Sequence, residues 1–156
     1  MRVVIGIGAN LGDRLATMRE AVARVGDVSG VSLVARSHVY ETDPVGGPPQ
    51  PPFLNAAIAV ECTLSPIALL DHLQHIEAEL GRTRGTGDVR WGPRIIDLDV
   101  LWIDGVTLDE PRLVVPHPRL LDRAFALLPL LDVAPAAYPP PPEPACSGVC
   151  VAPLEL

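Results

Sequence analysis

Hydrophobic positions along this chain change period several times, and each change marks an element. Residues 3–8 (VVIGIG) predict a first strand. Asn10-Leu11-Gly12-Asp13 forms a turn able to cap a helix. Leu15, Met18, Val22 and Val25 then recur at helical spacing until Gly26. Residues 31–40 are β-branched and extended, and predict a second strand. Residues 42–52 (TDPVGGPPQPP) are too proline-rich for an inner strand. Residues 53–61 predict a third strand. Ser65-Pro66 is a helix start, with Ser as cap and Pro at the first helical position. Leu70, Leu73, Ile76 and Leu80 form its apolar stripe, and Gly81 stops it. A polar loop over 82–91 precedes a fourth strand at 95–103 and a turn at Asp104-Gly105. Residues 119–132 predict a last helix.

Strand, helix, two strands, helix, strand is the order of an α+β ferredoxin-like sandwich, a mainly antiparallel four-stranded central sheet with helices packed on it. Beyond Ala134 the chain turns proline-rich. The predicted division is a folded domain over 1–135 and a loosely packed tail over 136–156.

One strand breaks its own pattern. Residues 95–103 read IIDLDVLWI, with two carboxylates where Val or Ile belongs. Side chains alternate along a strand, so Asp97 and Asp99 share a face, while Ile96, Leu98, Val100 and Trp102 point the other way, into the core. At ~3.3 Å per residue the two acids stand about 6.6 Å apart. With an effective dielectric near 20 they repel by roughly 2.5 kcal/mol. A positive group has to compensate. Oxygen-only ligands suit Mg²⁺, and salt bridges with arginines such as Arg82 and Arg94 are the alternative.

Charge narrows the chemistry further. The formal net charge of -7 disfavours nucleic acid as a partner. All twelve cations are arginine, and seven fall between Arg82 and Arg123. Such a cluster suits a compact polyanion, because the guanidinium fork donates two parallel hydrogen bonds to phosphate. Without lysine there is no Walker A loop, no kinase Lys–Glu pair and no Schiff base. The length of 156 residues and 48% apolar composition suggest one globular domain. No apolar run reaches the ~18 residues of a membrane span, and the first residues lack the features of a signal peptide. Cys62, Cys146 and Cys150 make no disulfide framework. A cytoplasmic protein is expected.

Several segments together resemble the 6-hydroxymethyl-7,8-dihydropterin pyrophosphokinase family of folate biosynthesis. They are IGIGANLGDR (5–14), YETDPVGGPPQPPFLNAA (40–57), LLDHLQHIEAELGRTR (69–84), RWGPRIIDLDVL (90–101) and VPHPRLLDRAFALLPLLDVAP (115–135). The resemblance implies pyrophosphoryl transfer from ATP to a pterin alcohol with release of AMP, and a monomeric state is expected with it. It implies that Asp97 and Asp99 hold two Mg²⁺ ions, and that Arg82, Arg84 and Arg94 face the phosphates. Gln74, Glu77, Arg112, His117 and Arg123 match residues around the nucleotide. From spacing alone Gln74 and Glu77 face either a site or solvent.

For the pterin, Phe53 and Phe125 match a stacking pair, Asn55 a ring hydrogen-bonder, and Thr42, Pro44, Val45 and Gly46 the wall of the slot. Trp91 matches a tryptophan that folds over the site. Without the resemblance, Phe53 and Phe125 read as core. The loops over 45–52 and 81–91 are expected to be mobile. Ala9 and Val114 depart from the family's pattern. A non-catalytic ATP-binding module and a purely structural subunit are the competing readings.

Overall fold

The computed structural model describes residues 1–43, 48–81, 94–139 and 148–156. Its elements run β1 (Arg2–Ala9), α1 (Arg14–Gly26), β2 (Val31–Arg36), β3 (Tyr40–Thr42), β4 (Phe53–Cys62), α2 (Pro66–Glu79), β5 (Asp97–Ile103), β6 (Leu108–Glu110), β7 (Leu113–Val115), α3 (Ala124–Val133) and β8 (Val149–Val151). A single 3-10 turn at Leu120–Asp122 precedes α3. The predicted second strand is two short ones, β2 and β3, separated at Ser37. The Ser37 hydroxyl accepts from the Ala57 backbone N–H (2.8 Å) and the Ser37 N–H donates to the Ala57 carbonyl (2.8 Å), filling the break.

The strands pair antiparallel in the order β5-β1-β4-β3-β8, and β2 lies beside the other half of β4. The expected four strands thus correspond to β1, β2 with β3, β4 and β5, and β8 is the addition among the described residues. A separate hairpin, β6–β7, does not show in the periodicity because each arm has only three residues. The end of the chain also differs from expectation. β8 pairs with β3, Ala152 is buried, and Leu154 and Leu156 pack on the core. Residues 148–156 are therefore joined to the sheet and core rather than a loose tail. Three apolar side chains and an open sheet edge outweigh the prolines upstream.

α1 and α2 cover one face of the sheet. Met18, Val22, Leu69, Leu73 and Ile76 pack there against Val3, Ile5, Ile7, Leu54, Ile58 and Leu98. Asp13 caps α1, accepting from the Ala16 N–H (3.1 Å), and Ser65 caps α2. α3 covers part of the opposite face, where Leu120, Leu127 and Leu130 meet Val4, Ala57 and Leu101. Val4 pairs with Trp102 but Ile5 pairs with Val100, so Leu101 is an extra residue. This bulge reverses the facing of the residues after it. Trp102 accordingly packs on the α3 side, not with Leu98 and Val100 as strict alternation predicts.

Deleting residues 148–156 should lower stability by about 2–4 kcal/mol, the worth of two partly buried leucines and a buried alanine. Urea unfolding monitored by circular dichroism checks this; an unchanged midpoint would mean that β8 contributes nothing to the sheet.

Candidate active site

β1 is the middle strand of the site, and on the α3 side it carries no side chain at two successive positions. Gly8 stands between Asp97 on β5 and Asn55 on β4, and Gly6 between Asp99 and Ala57. Strands lie about 4.8 Å apart, so Asp97 and Asn55 are separated by about 10 Å across a bare glycine. The space above Gly8 is used from the side: a Cβ there would come within 2.9 Å of the Asn55 Oδ1. A Cβ at Gly6 would lie 3.0 Å from the Leu101 Cδ1. The two glycines thus let Asn55 and Leu101 lean over β1 between an acidic end and an amide end.

At the acidic end, Asp97 and Asp99 are half-buried. The Arg94 Nη1 stands 3.5 Å from the Asp97 Oδ2. β5 is a sheet edge here, and the Leu98 N–H donates to the Glu77 Oε1 of α2 at 2.7 Å. Glu77 is 1% exposed, so it braces the strand between the two aspartates from behind. The residues after β7 come alongside: the His117 N–H donates to the Leu101 carbonyl (2.9 Å). The His117 Nδ1 accepts from the Arg119 N–H (3.2 Å), which leaves Nε2 to carry the ring proton. Burial pushes the His117 pKa down, and Arg123 and Arg119 add to this against an opposing pull from Asp97. Burial likewise lowers Arg123, with Arg119 and Arg94 pushing the same way and Asp99 and Asp97 opposing. Arg94 is thus paired with Asp97, and Arg123 and His117 lie within electrostatic reach of the acidic end.

At the amide end, the Asn55 Nδ2 donates to the Thr42 hydroxyl at 2.7 Å, and both residues are buried. That bond fixes the amide so that Oδ1 lies over Gly8. Tyr40, paired with Asn55, donates its hydroxyl to Asp132 of α3 (2.9 Å), and its pKa is raised, chiefly by burial. This pins α3 to β3. Phe53 pairs with Thr42 and is half-buried. Phe125, in the first turn of α3, lies under the Arg123 guanidinium, 5.6 Å from its ring centre. Half-buried rings at the rim are not sealed core.

Gln74 stands one turn before Glu77 on α2, and Arg112 pairs with Asp71 one turn earlier still. These side chains form a polar line along α2 that ends at the β5 edge. Arg112 is therefore on this flank and not among the cations around Asp97. Pro44, Val45, Gly46, Arg82, Arg84 and Trp91 lie outside the described residues. So do the start of the first loop expected to be mobile and all but Gly81 of the second. Sequence reasoning missed Asn10, Gly8 and Gln50, and counted Arg119 only as one of the clustered arginines. Gly8 shows only as a small residue in a strand, and Asn10 and Gln50 bond to partners that no local pattern reveals.

Among the described residues no three His, Cys, Asp or Glu side chains converge as a complete cation cage. The aspartate pair still fits magnesium, which binds through one or two carboxylates and fills its octahedron with water and substrate phosphates. No thiolate or imidazole among the described residues joins the pair to favour a softer metal.

Comparison with known proteins agrees with this arrangement. The sequence profile of 7,8-dihydro-6-hydroxymethylpterin-pyrophosphokinase (HPPK) matches residues 4–135. The 2-amino-4-hydroxy-6-hydroxymethyldihydropteridine pyrophosphokinase of Bacillus subtilis is 45% identical over 129 residues, 83% of this chain and 75% of that protein. The enzyme of the same name from Pseudomonas aeruginosa is 44% identical over 134 residues, 86% of this chain and 81% of its own. Among solved structures, HPPK-DHPS of Plasmodium falciparum superposes with a TM-score of 0.60 at 16% identity, covering 84% of this chain and 40% of that one, which speaks to the fold. The chain belongs to the 7,8-dihydro-6-hydroxymethylpterin-pyrophosphokinase family.

Proposed function

We propose that the protein transfers the pyrophosphoryl group of ATP to the hydroxymethyl oxygen of 6-hydroxymethyl-7,8-dihydropterin and releases AMP. The observation that carries this reading is the row Asp97–Gly8–Asn55. It sets a site for cationic phosphate chemistry about 10 Å from a fixed amide acceptor, with a residue that has no side chain between them. The pterin ring lies over Gly8, gives an N–H to the Asn55 Oδ1, and stacks on Phe53 and Phe125. Its hydroxymethyl group then points toward the aspartates.

The alcohol oxygen bonds to the β-phosphorus as the bond to the bridging α–β oxygen breaks. AMP leaves with that oxygen, and the alcohol proton passes to water. Phosphoryl transfer depends mainly on alignment and on charge stabilisation. Arg94 and Arg123 supply fixed positive charge near Asp97 and Asp99, and Arg119 stands beside His117. His117, held neutral, offers its Nε2–H as a donor. The polar line of Arg112 and Gln74 receives the nucleoside. Glu77 acts through the backbone of Leu98, holding the strand that carries both acids. Arg82, Arg84 and Trp91 join the phosphate and lid contacts, and Pro44, Val45 and Gly46 the pterin wall, on this reading. Asp97 and Asp99 would hold two Mg²⁺ ions, which supply neutralisation of triphosphate charge when bound.

Incubating the protein with Mg-ATP and the pterin should yield AMP, read by chromatography. ATP binding without AMP would favour a non-catalytic module. Asp97→Ala or Asp99→Ala should lower kcat on the order of 10³-fold, with a melting temperature near the parent's; parental rates would remove the metal role. Gly8→Ala should raise the pterin KM about tenfold, one hydrogen bond's worth, while the ATP KM holds. Equal effects on both substrates would contradict the assignment of Gly8 and Asn55 to the pterin.

His117 also gives a sign for pH dependence. Its folded pKa lies below the ordinary 6.5, so the unfolded chain takes up the proton first. The stability it contributes is present above pH 6.5 and drains away as pH falls from there. His117→Gln should flatten that part of a urea-midpoint profile; an unaltered profile would show that the ring is not held neutral by the fold.

A further inference from the structure

β3 is a short strand, Tyr40–Thr42, that lies between two others. On its inner side it pairs with β4. On its outer side it pairs with β8, with Tyr40 opposite Val151, Glu41 opposite Cys150 and Thr42 opposite Val149. The ladder continues past both ends of β8. The Asp43 N–H donates to the Gly148 carbonyl (3.2 Å), and the Ala152 N–H donates to the Val39 carbonyl (2.8 Å). Further along, Ala152, Leu154 and Leu156 join the core, and the Arg19 Nε of α1 donates to the Glu155 carbonyl (2.9 Å). The last residues of the chain are therefore anchored to the core on one side and to β3 on the other.

We infer that β8 is a positioning element for the pterin end of the site, an inference that rests on the function proposed above. Thr42 is the link. Its hydroxyl accepts from the Asn55 Nδ2 (2.7 Å), and that bond aims the Oδ1 to which the pterin N–H is assigned. Paired with β4 alone, so short a strand would leave Thr42 at a sheet edge. β8 makes β3 an inner strand and carries the ladder to Asp43, the residue before Pro44 of the pterin wall. Gly148 suits the end of that ladder. Its φ of +77° lies in the left-handed region, and a Cβ there would come within 3.1 Å of the Asp43 Oδ2. The aspartates stand on β5, beyond β4 and β1 from this edge, so the phosphate end does not share the support.

The alternation of antiparallel pairs supplies a matched test in the full chain. Asp43–Gly148 and Val39–Ala152 are bonded pairs, so Glu41–Cys150 is the bonded pair between them, and the Val149 and Val151 N–H groups face outward. Cys150→Pro therefore removes a ladder bond, and Val151→Pro removes none. In Cys150→Pro the pterin KM should rise about fivefold, the worth of one hydrogen bond, while the ATP KM holds. Val151→Pro should leave both KM values parental. Gly148→Ala, strained and crowded against Asp43, should raise the pterin KM about threefold. Should Cys150→Pro not fold, Gly148→Ala decides, and a parental pterin KM there overturns the inference. So does a folded Cys150→Pro that lowers the melting temperature and leaves the pterin KM parental, because β8 is then structural only. Equal rises in both KM values, or a Val151→Pro that matches Cys150→Pro, overturn it as well. A wild type that makes no AMP overturns the proposed function and this inference together; a wild type that turns over beside unaffected variants overturns the inference alone.

Discussion

A central strand has two faces, and in β1 only one of them is filled by its own side chains along its second half. Val3, Ile5, Ile7 and Ala9 are buried beneath α1 and α2, while Gly6 and Gly8 put no side chain on the other face and leave it to Leu101 and Asn55. The rest of the site depends on that asymmetry. Packing on the filled side holds the strand rigid, although glycine in a strand interior weakens it. The glycine side lets Asn55 lean across its neighbour and lets the aspartates of β5 share one surface with it. A methyl group at Gly8 would meet the Asn55 Oδ1 at 2.9 Å, so this position tolerates little substitution.

α3 completes the arrangement by covering only part of this face. Leu127 and Leu130 seal it against Val4 and Ala57, and the Tyr40–Asp132 hydrogen bond fixes the helix from the β3 side. Its first turn then carries Arg123 and Phe125 to the rim, where the guanidinium lies over the ring. Charge and aromatic surface therefore reach the site from one short helix. Local order is set by packing several residues away.

How much of this could be read in the chain depends on the range of the interaction. The long amphipathic stretches of α1 and α2 announce themselves, as does the apolar run of β4. Asp97 and Asp99 stand out because two like charges in a strand demand a counter-charge. The resemblance to a family supplied roles for Thr42, Asn55 and His117 that spacing alone left undecided. Three-residue strands such as β6, β7 and β8 carry too few positions for a period to show. The bulge at Leu101 has no local signature, which is why Trp102 faces the unexpected way. Asn10 reads as a turn residue, because nothing near it in sequence reveals that its partners are Gln50, Pro51 and Arg94.

One consequence of β5 concerns solubility. This strand ends the sheet, and its outer backbone groups could template pairing with another copy of the chain. The buried carboxylate of Glu77 occupies the Leu98 N–H, and the alternating acids beside it would repel a second identical edge. The same acidic residues to which the proposed function gives the phosphate chemistry would thereby guard the strand against self-association. An edge made apolar for extra stability would lose both properties at once.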